Sequence, residues 1–214
     1  METKLIVTYV VCDDVVKNLG IKDDIQTKMN TAEVMTTAIV AAEQYSGNFE
    51  KARIALKNSG DIPDMLSKSQ FNRRIHRIEQ KTWDAVLEAL ANEFSKFNVE
   101  NEFVTDSFPV YACKLARQNQ TKLYREKQFL GYCAAKREFF IGFKLHLIGD
   151  LNANPTKMLL RPARESDIAS FRLFELDLPE NSVILGDKAY NDYRYEDRLV
   201  QEKQIHLTPI RKVN

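Results

Sequence analysis

The sequence predicts a mixed α/β fold in two parts: an N-terminal helical domain over residues 1–99 and a sheet-containing domain over residues 100–214. Three observations support this prediction. Apolar residues recur every three or four positions through the first hundred residues, which is the period of amphipathic helices. Beyond residue 100, short alternating or continuous apolar segments replace that period, which is typical of strands. The length of 214 residues suits one larger domain with a smaller one.

Four helices are predicted in the N-terminal domain. Asn30 or Thr31 can cap the second helix, because both side chains accept a hydrogen bond from a first-turn N–H. The fourth is a long helix that begins after Ser67, with Gln70 at the spacing of a capping box. The predicted helices are 5–19, 31–45, 49–56 and 67–97.

The long helix also carries basic residues away from its apolar face. Arg73, Arg77 and Lys81 lie four apart and therefore form a stripe, which Arg74 and His76 flank. A short helix, a turn and a basic helix resemble the helix-turn-helix arrangement of DNA-binding proteins. The alternative is a solvated basic face with no partner.

The second domain is predicted to follow the order β-β-β-α-β-α-β, which indicates a mixed sheet with helices on its faces. Its longest strand, FFIGFKLHLI, alternates, with Lys144 and His146 on the face opposite to a row of apolar residues. Asn191 is the expected cap of the second helix. The predicted strands are 102–106, 139–148, 157–160, 182–186 and 204–208, and the predicted helices are 167–176 and 192–202.

The composition excludes several classes of protein. With 44% apolar and 29% charged residues, the chain is a globular protein able to build a core. No apolar run approaches the roughly 20 residues that a membrane helix needs, and the N-terminus lacks the basic lead-in of a secretory signal. The three cysteines are odd in number and far apart, so reduced thiols are expected. A cytoplasmic protein without a membrane partner is predicted.

One stretch is strongly basic although the whole chain has a net charge of only +1. Between residues 114 and 144, eight lysines and arginines stand against two glutamates, with aromatic residues interleaved. Such a patch suits a polyanion, most commonly nucleic acid. Lys136, Arg137 and Lys144 are the candidate contacts. The alternative is a solvated loop with incidental lysines.

Two aspartates stand where predicted strands end. Asp106 closes EFVTD, and Asp187 closes SVILGD, with Lys188 directly after it. Sites in α/β sheets form where strands end and loops diverge, and two carboxylates brought together repel unless a cation lies between them. Mg²⁺ suits such a pair, because it takes one or two protein carboxylates and completes its shell with water and phosphate. The pair therefore predicts metal-dependent phosphodiester chemistry, with Lys188 as a candidate phosphate contact. The alternative is ordinary turn chemistry.

Six segments, taken in order, give the chain a family resemblance. They are KMNTAEVMTTAIVAA, MLSKSQFNRRIHRI, VTDSFPV, GYCAAKREFFIGFKLHL, FELDLPENSVILGDKAYNDY and IHLTPIRKVN. In these segments the chain resembles the DDE transposases of bacterial insertion sequences, most closely the insertion-sequence 982 group. The resemblance implies a ribonuclease-H-like catalytic domain, in which the first and fourth strands are neighbours.

By this resemblance, Asp106 and Asp187 match the first two catalytic acids, which in the complete family site hold two Mg²⁺ (or Mn²⁺) ions. The implied activity is DNA transposition. Hydrolysis of a phosphodiester at an element end frees a 3′-hydroxyl, which then attacks a target strand. The implied partners are the element ends and target DNA, at the nucleoid in the bacterial cytoplasm, with assembly into a homo-oligomer left open.

The family's third acid has no counterpart in this sequence. It is a glutamate on a helix beyond PIRK, whereas the sequence given ends at Asn214. We therefore expect a C-terminally truncated, incomplete ribonuclease-H-like domain with impaired catalysis, and whether this chain is an active enzyme stays open. Two other classes also stay open. The chain could be a DNA-binding remnant without catalysis, or a nuclease of the same fold that cleaves without strand transfer.

Overall fold

The computed structural model describes residues 2–98, 100–117 and 123–210. Residues 118–122 of the basic stretch, and the residues after Ile210 in the last family-like segment, lie outside the described ranges. The chain divides into two compact units, Met1–Ala89 and Leu90–Asn214. Within the described ranges, no helix has the length and apolar character needed to cross a bilayer.

The first unit is helical, as the apolar period predicts. Asn30 caps the second helix: its side chain accepts from the Glu33 N–H at 2.8 Å, and the Glu33 carboxylate accepts from the Asn30 N–H at 2.7 Å. Ser67 and Gln70 form a second capping box, also as predicted. The helices are α1 (Glu2–Asn18), α2 (Thr31–Tyr45), α3 (Phe49–Ser59), α4 (Lys68–Ile75) and α5 (Gln80–Ser95).

Two apolar clusters hold these helices together. Phe71 of α4 is fully buried in the first cluster, among residues of α2 and α3, and its ring lies 5.8 Å from that of Phe49. The second cluster joins α1, α2 and α5 through Cys12, Met35 and Val86. Each fully buried large side chain contributes roughly 1.5–3 kcal/mol to folding.

The predicted long helix 67–97 is in fact two helices, with Arg77 in the turn between α4 and α5. No proline or glycine interrupts this stretch, so local propensity does not cause the break. Ile78, in the same turn, packs against both apolar clusters of the unit, and this packing outweighs the continuation of the helix. The prediction of one helical stripe through Arg73, Arg77 and Lys81 is therefore wrong.

The second unit is built on a mixed sheet, as the sequence predicts. Its elements are β1 (Glu102–Lys114), β2 (Leu130–Cys133), β3 (Glu138–Asp150), β4 (Pro155–Pro162), α6 (Asp167–Phe171), β5 (Val183–Gly186), α7 (Tyr193–Lys203) and β6 (His206–Pro209). In the described residues the strand order is β2-β3-β1-β5-β6, and β4 pairs with β3 on the same side as β2. β1 is antiparallel to β3 but parallel to β5, which is parallel to β6. The short strand β2 was not predicted, because its four residues show no clear alternation.

β1 continues past Asp106, contrary to the prediction that a strand ends there. It pairs with β3 as far as Lys114. The pairing with β5 stops at Val104, so the other side of β1 has no strand partner beyond that point in the described ranges. Pro109 is tolerated there, since prolines are accepted at sheet edges. Asp106 therefore lies at a step in the sheet, where β5 stops and β1 runs on.

β3 buries the face that carries His146. His146 and Ile148 are fully buried beneath the elements that follow β4, whereas Phe139 on the opposite face is 56% exposed. The apolar cluster on the buried face joins β1, β3, β5 and β6 to α6 and α7. Lys144, which shares this face, is only partly exposed.

Two helix predictions in this unit need correction. α6 ends at Phe171, whereas the prediction extended it to residue 176. Phe171 and Leu176 are both buried in the same cluster, but five residues on a helix turn the side chain by about 140°. Leaving the helix lets both side chains reach the core. α7 is capped by Asp192, whose side chain accepts from the Tyr195 N–H, and not by Asn191.

Candidate active site

The two aspartates predicted from strand ends lie on neighbouring strands. Asp106 follows the part of β1 that pairs with β5, and Asp187 comes directly after β5. Because the two strands are parallel, both aspartates reach the same edge of the sheet. Both line one cavity of about 400 Å³. Its walls also include three polar residues that form one group (Ser107, Lys144 and Asp167). Two exposed aromatic side chains, Phe108 and Tyr132, line the cavity as well.

Each carboxylate is held by one backbone N–H. Asp106 Oδ1 accepts from the Ser107 N–H at 2.7 Å, and Asp187 Oδ1 accepts from the Ala189 N–H at 2.8 Å. Both aspartates are exposed, and neither forms an ion pair with another described residue. Their remaining oxygens are hard donors of the kind that Mg²⁺ and Mn²⁺ prefer, so the pair fits a divalent ion.

The carboxylate pair stands without a third close ligand in the described part of the chain. No group of three or more His, Cys, Asp or Glu side chains there could hold a metal ion. A divalent ion bound by the pair would therefore take its other ligands from water and phosphate, as Mg²⁺ sites commonly do.

Asp187 is positioned by a close approach of β5 to β1. A Cβ on Gly186 would lie 3.1 Å from the side chains of Thr105 and Tyr190, so the glycine allows this approach. Asp187 then caps a short 3₁₀ turn that ends at Tyr190, which is 1% exposed. Burial raises the pKa of the Tyr190 phenol above its usual value, so the ring anchors the turn in neutral form.

Behind Asp106 lies a polar group that the sequence did not reveal. Asp167 Oδ1 accepts from Ser107 Oγ at 2.7 Å and from Lys144 Nζ at 3.1 Å. His146 Nδ1 lies 3.9 Å from the same oxygen, and burial lowers the pKa of this imidazole. The sequence predicts only that a helix begins at residue 167. Its partners lie 60 and 23 positions away, so no local pattern could identify them.

The predicted DNA contacts of this unit fall into two groups. Lys136 and Arg137 are exposed in the turn between β2 and β3, next to two alanines that line the cavity, and Lys136 Nζ lies 4.9 Å from the centre of the Tyr111 ring. Lys188 is exposed directly after Asp187. Lys144, by contrast, is engaged with Asp167, and its side chain is only 20% exposed.

The predicted DNA contacts of the first unit are divided in the same way. Arg73 is exposed on α4, and Arg77 lines a cavity of about 390 Å³ together with Lys22 and Lys81. Arg74 is engaged inside the unit: its Nη2 lies 2.7 Å from Asp23 Oδ1 and also donates to the carbonyl of residue 29.

Comparison with known proteins identifies one family. The model of the transposase DDE domain matches residues 98–213, which is more than half of the 214 residues and includes both aspartates. No curated protein matches the chain. No solved structure matches it.

Proposed function

Because the chain belongs to the transposase DDE domain family, we propose that it acts in DNA transposition as the transposase of a bacterial insertion sequence of the 982 group. It binds the ends of the element and target DNA, and transfers strands between them at the nucleoid. The observation that carries this proposal is the juxtaposition of Asp106 and Asp187 in one exposed cavity at the edge of the sheet.

The sheet suits a ribonuclease-H-like domain. The antiparallel pairing of β1 with β3 and the parallel pairing of β1 with β5 support this assignment. We place the catalytic domain at residues 100–214 and a DNA-binding domain at 1–99. In the latter, Arg73 and Arg77 contact DNA, while Arg74 supports the fold through Asp23.

Asp106 and Asp187 hold divalent ions, Mg²⁺ or Mn²⁺, two in the complete family site. A bound ion would lower the pKa of a coordinated water and would offset the charge that develops on the leaving oxygen. The Ser107 and Ala189 N–H groups keep the two carboxylates in place. Lys136, Arg137 and Lys188 bind the phosphates on either side of the reacting one, because they are exposed cations next to residues that line the cavity, Ala134, Ala135 and Asp187.

Catalysis by these 214 residues is expected to be slow. In the described residues no three possible ligands come close enough to hold one ion, and two protein ligands hold the ions less firmly than three. Two rival functions predict different products from the same reaction. A DNA-binding protein without catalysis would bind without nicking, and a nuclease would nick without joining.

The test uses the 214-residue chain and a supercoiled plasmid that carries element ends, with Mg²⁺ or Mn²⁺. We expect metal-dependent nicking and strand joining that Asp106→Asn and Asp187→Asn abolish. Asp177→Asn is the matched control, because Asp177 is exposed in the same unit and forms an ion pair with Lys157. Equal activity in Asp187→Asn and wild type would contradict the proposal.

A further inference from the structure

We propose that Asp167 and Lys144 form an ion pair that positions Asp106 through Ser107, so that Lys144 is a positioning residue and not a DNA contact. The inference rests on the proposed function in one respect only, namely the assignment of Asp106 as a metal ligand. The residues that carry it are Ser107, Lys144 and Asp167 in the wall of the carboxylate cavity.

Ser107 connects the two carboxylates. Its N–H donates to Asp106 Oδ1 at 2.7 Å, and its hydroxyl donates to Asp167 Oδ1 at 2.7 Å. Successive side chains of a strand point to opposite faces of the sheet. Asp106 therefore lies on one face and the Ser107 hydroxyl on the other, and fixing the hydroxyl also fixes the peptide that orients Asp106.

The backbone needs this support at Asp106 because, among the described residues, β1 pairs there with β3 alone. The pairing of β1 with β5 ends at Val104, whereas Asp106 is opposite Leu147 of β3. The hydrogen bond from the Ser107 hydroxyl to Asp167 restricts the motion of β1 at this point, where no second strand of the described residues does so. Asp167, at the start of α6, is thus an anchor for β1.

Lys144 is the ion-pair partner of this anchor. The register places Lys144 opposite Pro109 and His146 opposite Ser107, so these side chains share the face that α6 covers. The side chains of Lys144 and Asp167 are only 20% and 19% exposed. A carboxylate that is mostly removed from water is costly without a nearby cation, and the Lys144 ammonium at 3.1 Å offsets that cost.

The same contacts leave little of Lys144 for DNA. Its ammonium donates to Asp167 Oδ1 and to the Glu165 carbonyl at 3.3 Å, which occupies two of its three N–H groups. Lys136 and Lys188 are exposed and make no ion pair with a described residue. Phosphate binding in this unit therefore belongs to these two lysines and to the exposed Arg137.

The first experiment measures Mn²⁺ affinity of the full chain by electron paramagnetic resonance. Ser107→Ala and Asp167→Asn should each weaken binding about ten- to a hundred-fold, the usual effect of removing a group that orients a metal ligand. The double variant should bind Mn²⁺ no more weakly than the single variant with the lower affinity, because both substitutions break the same chain of hydrogen bonds to Asp106. Arg161→Gln, which breaks the adjacent Arg161–Glu165 pair, is the control and should bind normally.

Two results of that experiment would overturn the proposal. Additive losses would mean that Ser107 and Asp167 act separately. A loss in Asp167→Asn with normal binding in Ser107→Ala would make Asp167 a ligand itself. The unfolding temperature of each variant is recorded as well, since a drop in stability with unchanged Mn²⁺ affinity would show a purely structural role.

The second experiment needs no metal and therefore separates this inference from the proposed function. Lysines are acylated and mapped by mass spectrometry, with and without a random-sequence DNA duplex. Lys144 should react slowly with or without DNA, and several-fold faster in Asp167→Asn, whereas DNA should protect Lys136. DNA protection of a fast-reacting Lys144 in the wild-type chain would overturn the assignment.

Amide exchange followed by NMR, also without metal, tests the connection to Asp106. Exchange of the Ser107 amide should be about tenfold faster in Asp167→Asn and Lys144→Met but unchanged in Arg161→Gln. Unchanged exchange in all three variants would refute positioning through Ser107. A wild-type chain that binds no Mn²⁺ would count against the proposed function while these two measurements still decide the ion pair.

Discussion

Lys136 and Arg137 are exposed cations in the turn that borders the carboxylate cavity. If each contacts one phosphate, Lys136→Gln and Arg137→Asn should each reduce the slope of log affinity against log salt by about 1. Asparagine suits position 137 because this residue has a φ of 52°, which asparagine tolerates. The measurement is a salt titration of duplex binding.

The control for this salt titration is Lys157→Gln on β4, because Lys157 lies 3.5 Å from Asp177 and is a cation of the same unit. Its slope should equal that of the wild type. A slope unchanged in both turn variants would remove Lys136 and Arg137 from the DNA interface.

Asp23 is a residue for which the structure predicts a pH dependence. Burial alone would raise the pKa of Asp23, but hydrogen bonds from Thr31 and the charge of Arg74 outweigh it and hold the pKa below its usual value. A carboxyl whose pKa is lower in the folded chain stabilises it above the unfolded pKa of about 3.9, and loses this effect as the pH falls through the folded pKa.

Asp23→Asn should therefore lower the free energy of unfolding of the chain at pH 7, by about 1–3 kcal/mol for a disrupted charged hydrogen bond. The difference from wild type should be smaller at pH 3 than at pH 7, because the carboxyl of the unfolded chain becomes protonated below its pKa of about 3.9. Urea unfolding at the two pH values measures both quantities. An equal difference at both values would contradict the assigned cause.

At the scale of elements, β1 and β3 fit together because of one glycine. A Cβ on Gly142 would lie closer to the Val110 carbonyl oxygen than any real Cβ does, at the bulge where the register between Tyr111 and Cys113 shifts. Gly142→Ala should thus displace backbone in the sheet and cost about 2–4 kcal/mol of stability, more than strain in φ alone.

Gly20→Ala is the matched comparison for the sheet variant. Gly20 also has a positive φ, of 66°, but a Cβ there would meet no atom within 4 Å. It should cost only about 1–2 kcal/mol, the strain of a left-handed residue. Urea unfolding of both variants measures which of them loses more free energy of unfolding. Equal losses would show that the bulge can relax.

The helices show how local signals and packing share control. The capping box of α4 was predicted correctly, because it is read from residues three apart, whereas the cap of α2 was left open between Asn30 and Thr31 and the structure has Asn30. The break before α5 was not predicted, because it depends on the packing of Ile78 against two clusters whose members are distant in the sequence. The early end of α6 has the same cause, since Leu176 reaches the core only when the chain leaves the helix.

At the scale of the whole molecule, the two units carry different spectroscopic probes. The single tryptophan, Trp83, lies in the unit Met1–Ala89, whereas six of the eight tyrosines lie in Leu90–Asn214. We expect Mn²⁺ at ten times its dissociation constant to stabilise the second unit by about 1.4 kcal/mol. Thermal unfolding followed by tyrosine absorbance should then shift, while the Trp83 fluorescence transition stays in place.

Asp187→Asn is the control for the metal shift, because it removes one of the two carboxylates without removing a packed side chain. The tyrosine transition of this variant should not respond to Mn²⁺. A shift of both transitions together in the wild type would show that the two proposed domains unfold as one.

The sequence by itself determined the helical and sheet-forming parts, the capping box of α4, the family resemblance and the two candidate carboxylates. Each of these depends on residue types at short spacing, or on the wording of short segments. That Asp106 and Asp187 belong on neighbouring strands was implied by the resemblance, and the parallel pairing of β1 with β5 agrees with it.

Only the tertiary structure decided the length of β1, the break between α4 and α5, and the separation of the predicted cations into exposed and engaged groups. Arg74 and Lys144 look like other basic residues in the sequence, but each is paired with an aspartate, 51 and 23 positions away respectively. Such pairs form because folding brings distant segments together and removes their charges from water. No local period or spacing carries that information.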